Sequence, residues 1–339
     1  MTLRPTFWIM NHFLLPTPYN HRFFVEKFAR GFKYSGFEIK VARKLDEIRG
    51  PGFVMISNHP FYHRYASNFY YSTALSSVSD HKVSAFEQRF KATMLVEHAA
   101  IRVLARRLKE QNIVLLAWMR HSEKEFFDRL DIPVIFTGEY HYGRPVHRRI
   151  IEWYDFYCRE KNALPVEFAA DVDPARVGAN CENTKYLVSY VGNRTYGPNY
   201  YSLFRGRDNC RIVPTPPYIP EDERISIYRQ SRTALGLSSE YNVVNKVVTE
   251  RRFESLAYGA ICLTDNIHAV EATHGCAIAI QSEEHLLGLL KQVSANKDGF
   301  MELRQQGFQF IRDHGTYAAR AKSFVSLAEG LFGFSFRLS

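Results

Sequence analysis

The chain has 339 residues, 46% hydrophobic and 14% aromatic, which is more apolar material than one core comfortably holds and excludes a disordered or low-complexity protein. A net charge of +9, from 44 basic against 35 acidic residues, favours anionic partners, but the basic residues are scattered and no nucleic-acid-binding module is present, so nucleic acid is not expected. Five cysteines without C-x-x-C or other metal spacing argue against a metal centre and for reduced thiols in a cytoplasmic protein, and no run of about eighteen apolar residues offers a membrane span.

The opening residues 1–16 hold Phe7, Trp8, Ile9, Met10, Phe13, Leu14 and Leu15, interrupted by Arg4, Asn11 and His12. That is a poor secretory leader and a better first core element, with peripheral membrane contact as the other reading. Residues 23–34 carry apolar side chains at helical intervals, Gly36 leads into a strand over 37–42, and F-V-M-I-S at 53–57 reads as a buried strand. A helix over 94–111 and strands at 113–118 and 132–137 complete a doubly wound α/β half.

Two polar clusters sit where these strands end, the position at which open α/β sheets bind ligands. Ser57-Asn58-His59-Pro60, followed by Phe61, Tyr62, His63 and Arg64, places His59 and His63 as candidate general bases, or as histidines that merely bond loop backbone. Gly138-Glu139-Tyr140-His141 follows the strand at 132–137, and Glu139 is a further candidate base, or a solvated turn residue. An N-H-P string resembles that of glycerolipid acyltransferases, whose motif is H-x-x-x-x-D. Here the fifth residue after His59 is Arg64, so the acid that orients the base is missing.

Prolines at Pro165 and Pro174 and a polar break after Ala170 mark a domain boundary. A strand is expected over 185–191, with Gly192-Asn193-Arg194 directly after it. Glycine there allows backbone amides to approach a phosphate. Short strands follow at 212–213 and 231–237, a helix at 221–229 and a loop at 238–248, in which Lys246 is a candidate diphosphate contact or a solvated lysine.

The most informative stretch is N-K-V-V-T-E-R-R-F-E-S-L-A-Y-G-A-I-C-L-T-D-N, residues 245–266. Thr249 suits a helix cap, Phe253, Leu256 and Ala257 recur on one face, Gly259 suits a left-handed stop, and 260–263 reads as a buried parallel strand. Arg251 and Glu254 are three apart and so share a face, expected to point away from the apolar stripe. A guanidinium and a carboxylate near a helix N-terminus suit a nucleotide diphosphate, the cation and amides on phosphate and the carboxylate on ribose hydroxyls. An ordinary surface ion pair is the plainer reading of the same two residues. A last strand at 276–280 and helices over 285–293 and 300–332 close the chain.

The pattern T-x-R-x-F-E-x-L-A-x-G, then a hydrophobic strand and T-D, resembles the donor-site helix of GT-B glycosyltransferases, in particular "glycosyl transferases group 1" domains related to spore-maturation proteins. Thr249, Arg251, Phe253, Glu254, Leu256, Ala257, Gly259, Leu263, Thr264 and Asp265 carry it. Retaining relatives have a second glutamate eight residues before the one matching Glu254, and here that residue is Lys246.

The resemblance implies two Rossmann-like doubly wound domains facing across a cleft: residues 1–168 for the acceptor, 169–318 for the donor, and a C-terminal helix at 319–339 packing back on the first. It implies Gly192, Asn193, Arg194, Lys246, Thr249, Arg251 and Glu254 as donor contacts, and a base among Glu139, His59 and His63. The donor would be a nucleotide-diphosphate sugar, and the acceptor a glycan or lipid-linked saccharide of bacterial-type surface polysaccharide or glycoconjugate synthesis. No cofactor or metal is expected, and the location would be the cytoplasm or the inner membrane face. Two other readings remain at this point, an inactive nucleotide-sugar-binding scaffold and a lipid acyltransferase.

Overall fold

A computed structural model describes residues 4–10, 21–43, 47–57, 107–118, 133–137, 162–164, 166–182, 185–193, 199–215, 219–244 and 246–336. The chain divides into two compact units, Met1–Glu167 together with Ala321–Ser339, and Phe168–Arg320.

The first unit is built on β1 (Thr6–Met10), α1 (His21–Tyr34), β2 (Glu38–Ala42), β3 (Gly52–Ser57), β4 (Ile113–Trp118) and β5 (Val134–Thr137). All pairings are parallel, in the order β2-β1-β3-β4-β5. The opening stretch is therefore a core element, with Phe7, Trp8 and Ile9 buried in an inner strand. Its core is aromatic: Phe7 stacks on Phe32 at 4.2 Å, Phe53 lies 5.2 Å from Phe32, and Phe28 meets Phe7 edge-on. The C-terminal residues join the same cluster through Phe324, 5.4 Å from Phe28, and Phe336, 5.1 Å from Phe53.

The second unit contains β6 (Tyr186–Asn193), β7 (Cys210–Thr215), α2 (Glu221–Arg229), β8 (Ser231–Gly236), α3 (Glu240–Val244), α4 (Glu250–Ala257), β9 (Ile261–Thr264), α5 (Ile267–Ala272), β10 (Ile278–Ala279), α6 (Glu283–Ala295) and α7 (Lys297–Phe310). A π-helical turn, Ile311–Gly315, leads into α8 (Tyr317–Phe332), which crosses the division between the units. The sheet is parallel, ordered β10-β9-β8-β6-β7.

Neighbouring residues of a strand face opposite sides of the sheet. Ala234 and Cys262 accordingly join a cluster with Phe253, Leu256 and Phe308, while Leu235 and Leu263 join another with Tyr190, Leu286 and Leu290. Two apolar layers on one parallel sheet make the unit doubly wound.

Four local expectations change. The first strand of this unit runs to Asn193, so Gly192 and Asn193 are not loop residues but its last two positions, paired with Pro214 and Thr215. Pro214 is tolerated because β7 is an edge strand. The expected loop at 238–248 contains α3, and the strand at 276–280 shortens to Ile278–Ala279. The long closing helix is broken where Thr316 leaves it to bridge Ala170, with Ala170 donating to the Gly315 carbonyl and Tyr317 to the Ala170 carbonyl.

Candidate functional site

The chain steps from β6 outward to β7, then returns past β6 to add β8, β9 and β10 on the other side. Strand order therefore reverses between β6 and β8, and the crevice outside their carboxyl ends is where such sheets hold ligands. The β6 end carries Gly192 and Asn193; the β8 end carries Gly236, followed by Leu237 and Ser238. The N-terminus of α4 lies against both.

Why α4 forms there is clear from its two ends. At its C-terminus Gly259 has φ +89°, and the Ala260 amide donates to the Ser255 carbonyl while the Gly259 amide donates to Leu256, a complete Schellman closure. At its N-terminus Thr249 occupies the cap position but its side chain caps no amide. The Thr249 hydroxyl instead accepts from the Arg252 guanidinium. From Arg252 to Ala257 every residue is buried, so the helix is enclosed on nearly all sides, and its first turn lies at the crevice.

Arg251 belongs to that first turn. A Cβ on Gly192 would lie 2.6 Å from the Arg251 Nη1 and 2.6 Å from the Tyr190 hydroxyl. Only glycine admits the guanidinium there, and two residues taken from separate stretches of sequence come together at the β6 end. Tyr190 donates its hydroxyl proton to the Asn193 carbonyl and stacks on Tyr201 at 4.7 Å. Burial pushes the Tyr190 phenol up to about 12 against the pull of the Arg251 guanidinium, so it acts as a neutral donor.

Arg252 was not among the expected site residues. It is 1% exposed, and its Nη2 donates to the Gly236 carbonyl at 2.8 Å and to the Ser238 hydroxyl. These and Thr249 are neutral acceptors, so the cation is enclosed in a polar pocket at the β8 end, and burial holds its pKa below the usual arginine value. Asp265 shares the region, accepting from the Ser238 amide at 2.9 Å. Burial raises its pKa and the Arg252 charge opposes that rise. No sequence signal distinguished Arg252 from an outward-facing helix arginine, because its acceptors come from β8 and from a cap residue expected to serve the helix.

Glu254 is 2% exposed rather than solvent-facing, and it accepts from Arg224 of α2 at 2.9 Å. The structure thus pairs it across 30 positions of sequence, where a surface pair with Arg251 was the plainer reading. Lys246 has an exposed side chain and a left-handed backbone, φ +57°. Of the other expected site residues, Arg194, Glu139, His59 and His63 lie outside the described residues.

The two parallel, doubly wound sheets define the class, the GT-B fold of glycosyltransferases. Residues 187–326, which hold nearly all of β6, then β7 to β10 and the whole of α4, match the family model described as "Glycosyl transferase-like". No curated protein matches the chain. Among solved structures the chain is similar to the α,α-trehalose-6-phosphate synthase of Burkholderia multivorans, with a TM-score of 0.50 at 8% identity over 98% of each chain. It is similar also to a glycosyltransferase of Rickettsia africae, with a TM-score of 0.48 at 9% identity over 98% of this chain and 100% of that one. The β-glucosyltransferase of T4 phage gives 0.44 at 11% identity over 98% and 100%. At such identities the likeness is one of fold.

Proposed function

We propose that this protein transfers a sugar from a nucleotide-diphosphate donor to a glycan or lipid-linked saccharide acceptor of surface polysaccharide or glycoconjugate synthesis. The observation that carries the reading is the approach of Arg251 to Gly192 at the point where strand order reverses. It joins a cation, a strand end without a side chain and the amides of a helix N-terminus whose cap hydroxyl is turned elsewhere. Such an arrangement favours a polyanion, and the match of residues 187–326 to a family described as "Glycosyl transferase-like" supports reading that polyanion as a nucleotide diphosphate.

In this reading the developing charge on the leaving diphosphate is met by Arg251, with Arg194 and Lys246, and by the first amides of α4, without a metal or cofactor. Arg252 holds the β8 end and the cap residue in place from behind. Thr249 then serves as an acceptor for Arg252 rather than as a donor contact. Glu254 accepts hydrogen bonds from the ribose. The acceptor hydroxyl is deprotonated by a base among Glu139, His59 and His63. Transfer takes place in the cytoplasm or at the inner face of the membrane, and no helix of the described residues is long and apolar enough to cross one.

The test is calorimetric titration with UDP, GDP, ADP, CDP and TDP, followed by hydrolysis and transfer assays with the sugar derivatives of whichever diphosphate binds. Arg251→Ala is expected to weaken that binding by about 1 to 3 kcal/mol, the scale of a lost charge-assisted hydrogen bond. Unchanged affinity would remove Arg251 from the site. Binding without turnover of any donor would leave a nucleotide-sugar-binding scaffold in place of an enzyme, and acyl-CoA turnover dependent on His59 would point to the acyltransferase instead.

A further inference from the structure

Arg224 enters from an element that the nucleotide-binding pattern does not include. It lies one turn into α2, whose first turn carries Glu221, Asp222 and Glu223, favourable at a helix N-terminus. Its guanidinium leaves that acidic turn, staying 3.9 Å from Glu221, and donates through Nη2 to the Glu254 Oε1 at 2.9 Å. The two side chains differ sharply in exposure, 21% for Arg224 and 3% for Glu254, so the arginine stands nearer the surface and the carboxylate is buried beneath it.

The surroundings explain why such a partner matters. Three phenols lie within the field of the Glu254 charge: Tyr228 on α2, Tyr258 at the end of α4, and Tyr317 at the start of α8. Burial, and after it neighbouring carboxylates including Glu254, push all three above the ordinary tyrosine value, so none of them carries charge. The Tyr317 hydroxyl donates a hydrogen bond to Glu250 at 2.6 Å. Burial is the largest influence on the Arg224 cation and works against it, yet Glu254, Tyr228, Glu221 and Glu250 together outweigh it and the arginine pKa is raised. A carboxylate buried among neutral phenols stays ionised and in one rotamer only if a cation holds it.

We infer that Arg224 is a positioning residue for nucleotide recognition: by clamping one oxygen of Glu254 it orients the carboxylate toward the ribose hydroxyls, and so sets preference for a ribonucleotide over its deoxy form. This rests on the reading of Glu254 as the ribose contact. Arg224 itself touches no substrate atom in the proposal. Its effect is on one carboxylate, whereas a general loss of structure would weaken every nucleotide alike.

The experiment uses the full chain and the ribonucleoside diphosphate that binds best among UDP, GDP, ADP and CDP, titrated beside its 2′,3′-dideoxy counterpart. The wild-type protein is expected to prefer the ribo form by about tenfold or more, the worth of hydrogen bonds to a charged acceptor. In Arg224→Met that ratio falls to about twofold while dideoxy affinity stays unchanged. Arg224→Lys, which keeps the charge and folds even if the methionine variant does not, lowers the ratio by about threefold or more because one ammonium cannot reproduce the guanidinium geometry. A wild-type ratio retained in a folded Arg224→Met or in Arg224→Lys overturns the role of Arg224 and leaves Glu254 as the ribose contact. A wild-type protein indifferent to the deoxy change, with Glu254→Gln equally without effect, overturns the ribose reading and the inference with it.

Discussion

The two units share a strand order, with the second strand outside the first and the third to fifth on the other side, and their described cores differ in what they bury. The described core of the first unit is a cluster of phenylalanines, Phe7, Phe28, Phe32, Phe37, Phe53, Phe324 and Phe336, in stacked, tilted and edge contacts. The second unit encloses Arg252, Glu254, Ser231, Thr233, Thr264 and Asn266 beside its apolar layers. Buried aromatic area is plain stabilisation, about 0.5 to 1.5 kcal/mol per ring pair beyond burial itself. Buried ions seldom stabilise relative to apolar replacements. The difference teaches that one topology accepts two kinds of core: among the described residues the first unit buries one charged side chain, Lys27, and the second buries two on a single helix, Arg252 and Glu254.

That contrast breaks or sharpens on four substitutions. Phe53→Ala in the first unit, a 0% exposed ring in contact with Phe32, Phe37 and Phe336, should lower stability by about 3 to 5 kcal/mol in denaturant titrations. Nucleotide affinity below the unfolding transition should not move, and a large drop there would erase the division of labour. Gly192→Val, which sets a branched side chain against Arg251 and Tyr190, should reduce nucleotide affinity by about 10- to 100-fold through overpacking of about 1 to 3 kcal/mol. Calorimetry at equal folded fraction checks it, and affinity unchanged within error would separate Gly192 from the site.

Arg252→Met should change stability by no more than about 1 kcal/mol in either direction, since an apolar side chain replaces a buried cation. The same variant should bind nucleotide about tenfold more weakly, because Ser238 and the cap residue lose their tie. A variant much less stable but binding normally would make Arg252 part of the scaffold. The smallest effect is expected for Thr249→Ala. This hydroxyl caps no amide but accepts from the buried Arg252 guanidinium, so the loss in thermal melting should be about 1 kcal/mol and should come from that lost acceptor rather than from a helix cap.

Much of the donor half could be read from the chain because its signals are local. Gly259 stops α4 with the closure that a left-handed glycine dictates, 221–229 is the helix its acidic first turn announces, and residues 231–236 and 261–264 are the short apolar strands of a parallel sheet. The site residues were legible in part. Gly192 and Arg251 were named independently, and their contact could not be, since it depends on β6 and α4 meeting at the reversal of strand order. Glu254 was named but its partner was not, and Arg252 and Arg224 gave no sign, because a charged residue in a helix looks solvent-exposed until its acceptor or counter-ion is known.

By itself the sequence determined most elements of the second unit, their order and the glycine stop of α4, since propensity, periodicity and backbone freedom act within about one turn or one strand. Tertiary structure alone decided which charges are buried and which groups share a pocket. Desolvation and ion pairing depend on neighbours brought from distant positions, as Arg224 is brought to Glu254 across 30 residues.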